Sequence, residues 1–170
     1  SDKLQLTYLL MAVSGIFIGL FNSISDISRE RVIYKRECMG NLKIPVYLLA
    51  KYVPQAIYAV MQALIMTAVL SVTTGFSGMK KIIMPDIFLE VAVIMLILIM
   101  MSVSAGLFVS TLVKKPSQSF LAFIITAVCE TAILWIMQIL KGNFYILLAI
   151  IFIMVILNFI SLKNLSKSDE

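Results

Sequence analysis

Five stretches of this chain, about 4–24, 45–72, 86–112, 118–140 and 144–162, are apolar over roughly the 20 residues an α-helix needs to cross a bilayer. Within hydrocarbon every backbone polar group must be satisfied inside the structure, and apolar runs of that length do so as helices. A secretory signal would be one short apolar core followed by a polar chain, whereas here the apolar runs recur to the end. Composition agrees: 61% of residues are hydrophobic and 14% charged, with a mean hydropathy of +1.04, against roughly 45–50% and about 25% in soluble domains. The expected fold is an all-α integral membrane protein, one transmembrane domain over residues 1–170.

Several function classes fall away. With no histidine, a His-ligated metal site or a His general base is excluded. Cys38 and Cys129 are too few and too badly placed for a disulfide framework. The sequence holds no P-loop, paired-carboxylate site, nucleophile with its base, or internal repeat. The net charge of +5 reads as the basic bias of loops on one membrane face and not as a nucleic-acid footprint.

The stretch 28–37, SRERVIYKRE, is the exception to the apolar pattern. Arg29, Arg31, Lys35 and Arg36, with Lys43 just beyond, are five of the fourteen basic residues. Flanked by spans, it must lie in water against a membrane face. At 100° per residue Ile27, Tyr34 and Cys38 share one stripe, with Arg31 at its edge able to snorkel. Asp26, Glu30 and Glu37 cluster on one flank, Arg29 and Arg36 on another. This predicts an amphipathic helix along the surface, within an element spanning about 26–43. Asp26 and Glu30 are like charges one turn apart, a cost of about 0.2–0.5 kcal/mol that basic groups of another chain would offset, so the acidic flank is a candidate docking surface. A merely solvated connector fits the same pattern. Gly40 and Asn41 offer a helix stop, and Pro45 suits a first turn.

Within the spans, Gly15 and Gly19 have the spacing that lets two helices approach closely. Pro54 should bend the second span, Lys51 snorkels, and Gln55 and Gln62 share a face that should avoid lipid. Asp86 is a candidate cap for the third span, with Glu90 in its first turn. Ser102, Ser104, Ala105 and Gly106 offer a small-residue surface to a neighbour. Glu130, near the middle of the fourth span, carries an insertion cost of about 2.5–3.5 kcal/mol and so should face the bundle interior or a wet cavity. It is either a functional group there or a protonated acid bonded to the next helix. Gln138 and Trp135 lie toward that span's far end.

Grouping alternate loops puts Arg29, Arg31, Lys35, Arg36, Lys43, Lys114, Lys115, Lys163 and Lys167 on one side and Lys3, Lys80, Lys81 and Lys141 on the other. The richer side should be cytoplasmic. The charged stretch and the C-terminus then face the cytoplasm and the N-terminus faces out, which predicts an earlier span upstream of Ser1.

Phe21-Asn-Ser-Ile, then Glu30-Arg31, Tyr34, Arg36-Glu37, Gly40, Tyr47, Ala50-Lys51 and Pro54 resemble the membrane domain of ABC exporters of the G subfamily and their bacterial relatives. There the second span is followed by an ER-x-x-x-x-RE segment, a glycine, a tyrosine and an alanine-lysine pair. The resemblance implies six spans per half, of which five are present. It implies two halves forming a pore, as a homodimer in the bacterial cytoplasmic membrane. ATP and Mg would be held by a fused or separate nucleotide-binding domain, with no cofactor or catalysis in this chain. Arg29, Glu30, Arg31, Tyr34, Arg36, Glu37, Gly40 and Lys43 would form the ATPase-coupling element. Spans 4–24 and 118–140 would line the path of a hydrophobic or amphipathic substrate, with Glu130 and Gln138 near it, exported by alternating access. The short turn at Lys141, Gly142 and Asn143 departs from relatives with a large external loop. An assembly or scaffold subunit, a lipid-modifying enzyme and a secondary transporter are the alternatives. The first needs the same docking loop; the others lack grouped interfacial carboxylates and repeats with midplane charges respectively.

Overall fold

The computed structural model describes residues 2–40, 42–76, 86–113, 116–139 and 144–167, with side chains for 7, 9–37, 40, 42–76, 86–113, 117–134 and 149–165. They form α1 (Asp2–Ser23), α2 (Asp26–Met39), α3 (Ile44–Thr74), α4 (Ile87–Leu112), a 3-10 turn (Pro116–Gln118), α5 (Ser119–Ile139) and α6 (Phe144–Lys167). Among the described residues there is no strand. Stretches Leu9–Glu37, Ile44–Thr74 and Ile87–Leu112 are long and apolar enough to cross a membrane, and Ser119–Leu134 and Ala149–Leu165 are shorter apolar helical stretches. The protein is an all-α integral membrane protein.

Local chemistry sets the helix ends. Ser25 breaks the line of α1, and α2 stops where the Gly40 and Leu42 N–H groups both donate to Glu37 O, at 3.0 and 3.1 Å. Pro45 occupies the first turn of α3, which runs on through Pro54 and closes at Gly75, whose φ of 55° is left-handed and whose N–H donates to Ser71 O. Asp86 stands at the N-cap of α4 with extended backbone, but its side chain makes no capping bond. α6 continues beyond the expected end of its span, because Leu162 and Leu165 are buried and hold another turn against the bundle.

α4 is the central helix. It is apolar on all sides, which suits a fully surrounded position, and it touches α1, α2, α3, α5 and α6. Its small residues admit α1 closely. A Cβ at Gly19 would lie 2.8 Å from Ile99 O and 2.9 Å from Ser102 Cβ, and one at Gly106 would collide with Ser23 Oγ. At Gly15 the nearest atom is 3.5 Å away, an ordinary contact. Of the two glycines in the sequence pattern, only Gly19 is required by the approach. Across the bundle, α3 buries a stripe through Gln55, Ala59, Ala63, Thr67 and Leu70 and exposes Leu49, Val53, Ile57, Met61 and Ile65, a pattern suited to facing lipid.

Candidate functional site

α2 is attached to four other helices from one side. Its first turn has N–H groups with no partner inside the helix. Ser110, fully buried near the end of α4, accepts from two of them, Ile27 N–H at 3.0 Å and Ser28 N–H at 2.9 Å. Ser28 Oγ lies 3.4 Å from Ser119 Oγ at the start of α5. One turn on, Arg31 Nη1 donates to Val113 O at 3.0 Å, just past the end of α4. Tyr34 is completely buried, donates its hydroxyl to Leu162 O on α6 at 3.1 Å, and packs on Tyr47 of α3 with ring centroids 4.7 Å apart.

Two residues of the acidic flank of α2, Asp26 and Glu30, are answered within the chain, and Glu37 stays exposed. Lys51 Nζ lies 2.6 Å from Glu30 Oε2 and 3.4 Å from Asp26 Oδ1, and sits 5.8 Å from the Tyr47 ring centroid. The repulsion that made this flank a candidate docking surface is thus relieved by a lysine of α3, which forms ion pairs where snorkelling alone was expected. The Glu30 side chain is 43% exposed, so the pair is worth at most about 1 kcal/mol. It ties α2 to α3.

What α2 leaves to solvent is its opposite face. Val32 is 65% and Ile33 55% exposed, and Arg29, Arg36 and Glu37 are exposed around them, followed by Gly40 and Lys43. Two aliphatic side chains ringed by both signs of charge have the make-up of a docking contact, with an apolar centre and a polar rim. Among the described residues no His, Cys, Asp or Glu cluster could hold a metal ion. Of the eight sequence-predicted coupling residues, Arg29, Arg36, Glu37, Gly40 and Lys43 lie on the open side, while Glu30, Arg31 and Tyr34 hold the helix to the bundle.

The α1/α5 face is aromatic. Phe123 meets Phe17 and Phe21 edge-on at 5.5 and 6.3 Å. Beside them is a groove of about 390 Å³ reaching Asn22, Arg29 and Phe120, with a smaller one of about 260 Å³ at Phe17 and Ile18. Glu130 is turned away from this face. It is 4% exposed, its Oε2 accepts from Ser102 Oγ on α4 at 2.7 Å, and its Oε1 has no partner among the described residues. It therefore occupies the bundle interior, one layer behind the surface that the resemblance assigns to a substrate. Gln138 and Trp135 lie outside the described side chains, as do Cys38 and Lys3; residues 77–85, 114–115 and 140–143 lie outside the described residues.

Sequence reading missed Ser110, because a serine near the end of an apolar helix gives no sign that it caps a helix far away in the chain. It also missed a polar cluster in which Asn158 Nδ2 donates to Tyr52 Oη at 2.9 Å and Ser104 O at 3.0 Å. A lone asparagine in an otherwise featureless span was the available signal.

Comparison with known proteins matches residues 2–129 to the family described as ABC-2 type transporter. An ABC transporter ATP-binding/permease protein of Mycobacterium tuberculosis is 32% identical over 111 residues, which cover 64% of this chain and 13% of that protein. The chain thus corresponds to a small part of that relative's length. No solved structure matches.

Proposed function

The chain belongs to the ABC-2 type transporter family, and from that premise we propose that it is one permease half of an ATP-driven exporter, driven through the outer face of α2. As a transport component of the membrane it performs no catalysis itself. ATP and Mg belong to a nucleotide-binding domain, on the same or a separate polypeptide, that docks on Arg29, Val32, Ile33, Arg36 and Glu37. The observation that carries this reading is the two-sided construction of α2: one face bonded to α3, α4, α5 and α6, the other open with two aliphatic residues among charges.

A push on the open face cannot be absorbed locally, because Ser110 and Arg31 pass it to α4, Tyr34 to α6 and Glu30 to α3. Closure of the ATP-bound domains displaces α2 and rocks two halves between inward-open and outward-open cavities. The motion requires that the ATPase dimer bind the two states unequally, since equal affinity shifts nothing. The exposed aromatic face of α1 and α5 is the side offered to the second half, a copy of this chain. A hydrophobic or amphipathic substrate would move along it with Phe17, Phe21 and Phe123 as contacts. The α2 face and the C-terminus lie in the cytoplasm of a bacterial cell.

Glu37→Ala tests the docking role, since Glu37 is exposed and its loss leaves the anchoring bonds in place. In the complete transporter in proteoliposomes, the variant should insert normally but lose substrate transport relative to ATP hydrolysed. Unchanged coupling in both Glu37→Ala and Ile33→Ser would refute the docking face.

A further inference from the structure

At the Arg31 end of the bundle an open cavity of about 450 Å³ lies along the α4/α6 seam. Its rim is polar, formed by Arg31 of α2, Asn164 of α6 and the hydroxyl pair Thr111 and Ser161, whose oxygens are 2.6 Å apart. Farther along both helices the lining is apolar, with Phe108 on α4 and Leu157 and Ile160 on α6, while Leu112 and Leu165 stand beside the polar groups. Leu112 is 58% and Ile160 46% exposed, so the lining opens sideways to the surroundings of the bundle. From Asn164 to Leu157 is seven residues, about 10 Å along the helix axis.

Charge and donors narrow the occupant. Among the described residues Arg31 is the charged residue of the lining, and no carboxylate lines it. Among the described residues its guanidinium uses one N–H, on Val113 O, out of the five it carries. Thr111 gives its proton to Phe108 O, so Ser161 donates to Thr111 and neither hydroxyl proton is left for a ligand. The remaining donors are Arg31 and the Asn164 amide, which suit an anionic, phosphate-like group at the rim. Immediately beneath them is a lipid-facing apolar slot.

We infer that this α4/α6 cavity is a binding site for one anionic phospholipid, with its phosphodiester held by Arg31 and Asn164 and an acyl chain lying against Phe108, Leu157 and Ile160. Basic pockets between membrane helices at the headgroup level are suited to such lipids. The site requires that the chain be embedded in a bilayer and does not require that it transport. Because Arg31 also ties α2 to α4, an occupied site would brace the same junction that carries the docking helix.

The complete transporter, delipidated in mild detergent, is incubated with equal amounts of dioleoylphosphatidylglycerol and dioleoylphosphatidylcholine and analysed by native mass spectrometry. Retention of the anionic lipid should exceed that of the zwitterionic lipid by about fivefold, the order expected for one interfacial arginine. Arg31→Gln, which keeps a donor for Val113 O, should bring the ratio close to one. Ile160→Trp leaves the charge intact and fills the slot, and should reduce retention of both lipids at this site; it decides the matter if Arg31→Gln fails to fold. Inorganic phosphate in excess should not displace the lipid. A ratio near one in the unmodified protein, a ratio unaffected by Arg31→Gln, retention unaffected by Ile160→Trp, or complete displacement by free phosphate would overturn the assignment.

Discussion

Replacing Ser110 by alanine should loosen α2 while leaving the bundle folded. Its oxygen accepts from Ile27 N–H at 3.0 Å and Ser28 N–H at 2.9 Å, both residues being buried. Orphaning a buried donor costs about 1–3 kcal/mol, and deleting an N-cap side chain costs about 0.5–2 kcal/mol. Two donors share one oxygen here, but Arg29 beside them is exposed, so water can partly replace the bond. Together these place the loss at about 2 kcal/mol, or about thirtyfold in the local opening equilibrium. Hydrogen exchange in detergent or nanodiscs reads this directly as faster exchange in the first turn of α2. Thr67→Val serves as control, because Thr67 is equally buried but donates only to Ala63 O in its own helix. Unchanged protection at Ile27 and Ser28 in Ser110→Ala would refute the idea that α4 holds the start of α2.

Gly19→Ala should lower thermal stability by about 1–3 kcal/mol through overpacking against Ile99 O and Ser102, whereas Gly15→Ala should be near neutral; unfolding scans of both in detergent separate them. Lys51→Met should cost no more than about 1 kcal/mol, and its difference from the unmodified protein should shrink as salt is raised, which thermal unfolding at two ionic strengths will show. Asn158→Leu removes the bonds to Tyr52 and Ser104 and should destabilise by about 0.6–1.7 kcal/mol, from the average to the upper end for hydrogen bonds between membrane helices.

The apolar helices could be read from the sequence because apolar length is a property of contiguous residues. The charged helix α2 could be read because its charges recur at helical spacing, with Ile27 and Tyr34 on the buried stripe as that spacing required. What the spacing could not supply was partners. Glu30 and Asp26 looked like an unanswered acidic flank, since Lys51 lies in the next helix and only the turn after Gly40 brings it back. Glu130 was correctly expected to avoid lipid. Which way it faced depended on Ser102 of α4, and no single-helix argument reveals that α4 stands at the centre of the bundle. The small residues at 102–106 were a partial sign, and Gly19 against Ile99 and Ser102 is where that sign became a contact.

The docking face of α2 is tested most directly by photo-crosslinking in native membranes, with a photoreactive residue placed at Val32 or Ile33 and, as a lipid-facing control, at Val72, which is 87% exposed on α3. Crosslinks from 32 and 33 to a nucleotide-binding domain, weakened or strengthened by ATP and absent from 72, are the expected result. Crosslinks from 32 and 33 to lipid alone, or labelling of these positions by a membrane-impermeant reagent from outside the cell, would contradict it.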